Sequence, residues 1–402
     1  MTNHLPFSLK AFDLPSINNF SRQLLSARKK KIALVVQGGG QRGIFTAGVF
    51  DAFLESDFDP FELYIGTSAG ALNLSSFISR QPRFGYQFIT NFTTDTEFFN
   101  LYKYLSQQKS MNLDWALEEV RAQGSIPLDL ITAREVLQHR TALACATRKD
   151  TLCDIYMPMY EKNWCEVLRA SCAIPVIYNQ PVNFDDLEWV DGGVSAAVPV
   201  REAWQRGADL VVVVRTEPVA LPQDESRLFN DWRGKVEIAL PEYIDRLSLN
   251  QSIDKVKALH GELTTKFESW KLGWREKELL LKPEQAEAAA AGTPASKGKG
   301  WSLLSADNIE RFLSLTGNSK RLEVIDMLNR YYTTYQDAHE FMLSPPDGLQ
   351  VIQIAPEKSL KSRALLSSKD DLEIDYREGK LIGREFVSHF ADILNETTAV
   401  KR

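Results

Sequence analysis

The chain is 402 residues long, with 44% apolar and 25% charged residues and a formal net charge of -6 at pH 7. This suits a globular protein of one large α/β domain with additions, or of two or three smaller domains, and the acidic balance gives no whole-protein pull toward nucleic acid. No run reaches the ~18 to 20 unbroken apolar residues of a membrane span, and Met1-Thr2-Asn3-His4 does not open a secretory signal. A cytoplasmic chain is therefore expected, touching lipid only peripherally.

Residues 1–31 read as a polar leader. Its basic end, Arg28 to Lys31, reads as a solvated approach to a strand. Ile32-Ala33-Leu34-Val35-Val36 is a continuous apolar run, the pattern of a strand buried on both faces in a parallel sheet. Ile44 to Leu54 has helical spacing, Phe61 to Ile65 reads as a second strand, and a helix is predicted from Ala69 to about Ser79. Strand, helix, strand, helix within fifty residues argues for βαβ units. Further strands are predicted at 141–146, 151–157 and before Val190. A helix-like stretch from Pro199 to Arg206 then leads into a strand at 209–215. The region 220–345 is charged, rich in tryptophan and leucine, and reads as a helical insertion with a flexible linker near 284–300. Residues 346–402 return to the main domain (32–219) with a strand at 350–354 and a helix at 379–395. The predicted fold is a three-layer α/β/α sandwich with a mainly parallel central sheet.

Four cysteines, Cys145, Cys153, Cys165 and Cys172, match no zinc or redox spacing. They read as buried free thiols in a reducing compartment. No metal and no cofactor is expected.

Three motifs carry chemistry. Gly66-Thr67-Ser68-Ala69-Gly70 joins a predicted strand to a predicted helix, and its glycines allow a tight turn that displays the serine. The helix N-terminus beside it favours developing negative charge. Gly38-Gly39-Gly40-Gln41-Arg42-Gly43 also joins a strand to a helix, and its N–H groups can hold an anion. As Gly-x-Gly-x-x-Gly it fits a dinucleotide loop, which needs an acidic residue ~20 positions on at a strand end. Asp57, Asp59 and Glu62 all precede that strand, whose end delivers Ser68 instead. The balance favours an oxyanion hole. Trp189-Val190-Asp191-Gly192-Gly193 ends an apolar run with a carboxylate at a turn; alone it is an ordinary turn aspartate. None of the five histidines, His4, His139, His260, His339 and His389, follows a strand near these motifs. The base is then Asp191 itself. An aspartate's ordinary pKa of ~3.9 makes it a weak base, which an apolar pocket strengthens.

In this order and setting the motifs resemble those of bacterial patatin-like phospholipases. The stretches Arg169 to Pro175 and Val194 to Pro199 resemble the family's flanks of its aspartate. The resemblance spans roughly 32–215, and more loosely 350–395. It implies Ser68 as nucleophile and Asp191 as base, in a catalytic domain over 32–219. It also implies an oxyanion hole around Gly38, Gly39 and Gly40 with Arg42 nearby, and a lipid acyl ester as substrate. Two positions depart from the family pattern: Gln37 stands where many members have aspartate, and Gly193 where many have alanine. Arg42 has two open readings, an anion contact or a brace of the loop through a salt bridge. The same acyl-enzyme also suits a transacylase. A nucleotide-binding protein and a non-catalytic relic are the more distant alternatives.

Overall fold

The structure, a computed structural model, describes residues 3–9, 14–24, 29–100, 110–175, 177–178, 180–219 and 321–398. The chain divides into two units, Met1–Leu221 with Ile309–Arg402, and Pro222–Asn308. The second unit, and with it most of the expected helical insertion and its linker, lies outside the described residues. The sheet and all the elements named below belong to the first unit.

Nine strands form one sheet: β1 (His4–Phe7), β2 (Ile32–Val36), β3 (Leu63–Thr67), β4 (Thr141–Arg148), β5 (Cys153–Pro158), β6 (Val182–Phe184), β7 (Leu187–Asp191), β8 (Leu210–Val214) and β9 (Gln350–Ile354). Their order is β1-β9-β8-β2-β3-β4-β7-β6, with β5 paired to β4 off this path. The six strands from β1 to β4 are mutually parallel, and β5, β6 and β7 join antiparallel. The fold is therefore an α/β/α sandwich on a mainly parallel sheet. Every residue of β2, β3, β8 and β9 is buried; β2 and β8 are the continuous apolar runs that cover on both faces requires, whereas β9 also buries Gln350 and Gln353. Residues 4–7, within the stretch read as a leader, form the edge strand β1 beside β9. Four residues are too few for periodicity to single out. The strand predicted before Val190 is in fact a hairpin, β6–β7.

Helices cover both faces. On one side lie α1 (Leu14–Leu24), α2 (Gly43–Glu55), α3 (Ala69–Ile78) and the C-terminal helix Lys369–Thr397, which packs along α2. Phe7, Phe53 and Phe58 meet Phe386 of that helix at ring-centroid distances of 5.4, 5.8 and 6.0 Å, and burying each such ring contributes about 1.5–3 kcal/mol. Ser368 caps the helix, its hydroxyl accepting from the N–H of Asp371. On the other side, helix Arg321–Leu343 packs Tyr335, Ala338, Phe341 and Met342 against Val35, Val211, Val213 and Val351. Cys145, Cys165 and Cys172 are buried free thiols, whereas Cys153 is exposed: it lies on β5, which alternates outward at the sheet's margin.

Candidate active site

Strand register brings the distant motifs together. Thr67, the last residue of β3, pairs with Cys145 of β4. The next residue of β4, Ala146, pairs with Asp191 at the end of β7. Where β3 stops, β7 docks, so Ser68 and Asp191 emerge side by side although 123 positions apart. On the opposite flank, Val36 of β2 pairs with both Gly66 and Val214. The glycine loop after β2 therefore lies between the ends of β3 and β8.

Ser68 sits at φ 53, ψ -127, a left-handed conformation that turns the chain from β3 into α3. The helix can start so abruptly because Gly70 has no side chain; a Cβ there would lie 2.5 Å from the carbonyl oxygen of Val36. Gly66, two residues before Ser68 in β3, is needed for the same turn, since a Cβ there would lie 2.7 Å from the main chain of Ala71. The Ser68 hydroxyl donates to Asp191 Oδ2 at 2.7 Å. Its N–H donates to Ser171 Oγ at 2.9 Å, which in turn donates to the carbonyl of Cys145. Asp191 is 6% exposed. Its Oδ1 accepts from the N–H of Gly193 at 2.6 Å, and Gly192 and Gly193 turn the chain into the helix Gly193–Ala196. Burial pushes the Asp191 carboxyl up to about 6, against the opposing effect of the Ser68 and Gly193 hydrogen bonds.

In the glycine loop, Gly38 donates its N–H to Ala197 O at 3.2 Å. Among the described residues, the N–H groups of Gly39 and Gly40 make no hydrogen bond. Gly40 has φ +58 and opens a 3₁₀ turn, Gly40–Arg42, that leads into α2 at Gly43. The Arg42 guanidinium donates to Glu217 Oε1 at 2.6 Å, so of its two readings the brace describes the geometry. Gln37 Oε1 accepts from the Thr216 N–H at 3.1 Å while its Nε2 donates to Glu217 Oε2 at 3.2 Å. An ionised aspartate at position 37 only accepts, and its charge would face that of Glu217. The glutamine suits this neighbour.

A cavity opens beside Ser68 and Gly40, walled by Leu72, Phe88, Ile89, Phe98, Met111 and Leu113. Among the described histidines, none hydrogen-bonds Ser68 or Asp191. His4 meets Gln353, and His339 meets Arg215. Sequence reasoning missed Ser171, although it lies within the stretch Arg169 to Pro175 that leads to the aspartate. It also missed Glu217 and Tyr335, which hydrogen-bond one another beyond the end of β8; no motif marks either.

The fold and this strand-end site define the chain as an α/β/α protein with a serine elbow facing a buried carboxylate. A family model for patatin-like phospholipase matches residues 34–204, and one for a domain of unknown function, DUF6363, matches residues 322–395. The chain is 31% identical over 373 residues to an uncharacterized protein, YjjU, of Escherichia coli (strain K12), covering 92% of this chain and 81% of that protein. A crystal structure of VipD from Legionella pneumophila aligns at 15% identity and a TM-score of 0.29 over 55% of each chain, so this chain spans about half of that one. The chain belongs to the patatin-like phospholipase family, a family of lipid acyl hydrolases. No helix among the described residues is long and apolar enough to cross a membrane.

Proposed function

We propose that the protein hydrolyses acyl esters of lipids through a Ser68–Asp191 dyad. One observation carries this reading: a serine on a strained elbow donates, at 2.7 Å, to a buried carboxylate that meets no cation among the described residues. Ser68 Oγ attacks the ester carbonyl carbon as its proton passes to Asp191 Oδ2. Negative charge gathers on the carbonyl oxygen, toward which the N–H groups of Gly39 and Gly40 are the available donors of the glycine loop. Such a donor is worth roughly 3–4 kcal/mol in a well-placed oxyanion hole. The carbonyl re-forms, the C–O bond breaks, and Asp191 returns the proton to the leaving alcohol. Water then attacks the acyl-enzyme with Asp191 again taking a proton; the acid leaves and Ser68 regains its hydrogen. The apolar cavity beside Ser68 suits the hydrocarbon of the acyl group.

A fluorophosphonate probe tests the nucleophile directly. Labelling is expected in the wild type and absent in Ser68→Ala, with release of fatty acid from phospholipid or lysophospholipid lost in parallel. Labelling or release that persists in Ser68→Ala overturns the reading. Adding a competing alcohol separates hydrolysis from acyl transfer by product.

A further inference from the structure

We propose that the C-terminal region, through its loop 361–367, forms one wall of the cavity beside Ser68, and that Leu365 sets which unbranched apolar acyl chains the site accepts. The proposal deepens the acyl-ester reading and rests on it. It gives a role to a stretch whose matching family is one of unknown function.

The cavity lining runs from Ser68, Gly40 and Gln41 across to Ala364 and Leu365. The loop bearing Leu365 is held at both ends. Asp375, 1% exposed on the C-terminal helix, accepts the N–H groups of Lys361 at 3.0 Å and Ser362 at 2.6 Å, one on each carboxylate oxygen. Ser367 Oγ accepts the N–H of Arg363 at 2.8 Å, and Leu366 takes a left-handed turn at φ 59 immediately after Leu365.

The glycine loop grips the same segment. The main-chain N–H of Gln41 donates to Ala364 O at 2.9 Å, and its Oε1 accepts the N–H of Ser367 at 2.8 Å. Its Nε2 reaches the other way, to Thr93 O at 2.9 Å. Gly40 lies so close that a Cβ would sit 2.3 Å from the Ala364 oxygen. One buried glutamine thus ties the C-terminal loop, the glycine loop and the far side of the cavity into one frame. Backbone bonds fix where Leu365 stands, and its side chain alone is free to vary in size. A substitution there changes the cavity without touching Ser68 or Asp191.

The test is the chain-length profile of nitrophenyl esters from acetate to dodecanoate, for the wild type, Leu365→Trp, Leu365→Ala and Asp375→Asn. Leu365→Trp is expected to lower the decanoate-to-butyrate ratio of kcat/KM at least about tenfold, through KM, and Leu365→Ala to move the optimum to longer chains. Asp375→Asn, which turns a donor toward one of the two N–H groups it must accept, is expected to flatten the profile. Ile374→Ala, on the exposed face of the same helix, keeps the wild-type profile. Folded Leu365 variants that both retain the wild-type profile overturn the proposal. Should Trp prevent folding, the Ala variant decides alone: a wild-type optimum in it overturns the proposal. If the wild type cleaves no ester, the hydrolase reading fails, and calorimetric binding of butyrate to dodecanoate by the Ser68→Ala protein decides the wall separately. A length limit that follows residue 365 sustains it, and binding indifferent to residue 365 overturns it.

Discussion

Two acids stand on either side of the glycine loop in opposite surroundings. Asp191, at the end of β7, is buried against one hydroxyl and one main-chain N–H. Burial wins, and the carboxyl rises to about 6. Glu217, beyond the end of β8, is also largely withdrawn from water, which alone would raise it. There the Arg42 guanidinium, the Tyr335 hydroxyl and Arg215 outweigh burial and hold the carboxyl at about 2. Arg215 is itself fully buried and donates to Tyr335 and Gln353. The same removal from water raises a carboxyl's pKa where no cation faces the acid and leaves a fixed anion where one does. Arg42 is committed to Glu217; a guanidinium beside Asp191 would instead draw that carboxyl's pKa down and blunt it in its proposed role as base.

The largest expected effect lies on the unpaired side. Asp191→Asn and Ser68→Ala should each lower kcat/KM for a nitrophenyl ester on the order of 10³-fold or more. As the proposed base, Asp191 would have to be ionised to take the serine proton. Log kcat/KM should therefore rise with unit slope at low pH and level off above about 6. An acid limb centred near the ordinary aspartate value would erase the contrast with Glu217.

The paired side should answer in stability. Glu217→Gln leaves Arg42 and Arg215 without their carboxylate and is expected to cost roughly 3–5 kcal/mol in urea unfolding at pH 7. The pH dependences run in opposite senses. Glu217 is depressed from 4.5 to about 2, so its contribution is present above 4.5 and lost as pH falls toward 2. Asp191 is raised from 3.8 to about 6, so stability is full below 3.8 and declines as pH climbs through 6, by about 3 kcal/mol. Asn at 191 can still accept from Gly193 and donate to Ser68, with no charge to bury. Asp191→Asn should then melt above the wild type at pH 8, with the gap closing near pH 4. If the variants at 191 and 217 shift the melt in the same direction at pH 8, the two settings are not opposite.

The strand–helix alternation from Ile32 to Ile78 was legible because a strand buried on both faces leaves an unbroken apolar run. The glycines around Ser68 were legible because so sharp a turn needs them. The neighbourhood of Ser68 and Asp191 was not readable from spacing. It depends on β7 docking where β3 ends, a register written in no local pattern. The Arg42–Glu217–Tyr335 connection was equally hidden, since it joins loop residues to a helix more than a hundred positions away. The leader's strand escaped notice because its four residues gain their meaning only from β9. Gln37, legible only as a departure from the family, became intelligible once Thr216 and Glu217 stood beside it.

The smallest expected effect concerns how the unpaired side is built. A non-glycine residue at φ 53, ψ -127 costs roughly 1–3 kcal/mol, which the surrounding fold must offset. Ser68→Ala removes the hydroxyl and keeps that strain. Ser68→Gly removes both, though glycine's freer unfolded chain returns about 0.5–1 kcal/mol of the gain. Both variants lack the hydroxyl and its hydrogen bond to Asp191, so comparing them isolates the backbone. The glycine variant should be the more stable by about 1 kcal/mol, read from thermal melts at one pH. An alanine variant as stable as the glycine one would mean that the elbow bears no strain, and that Ser68 is displayed without the energetic cost its dihedral angles imply.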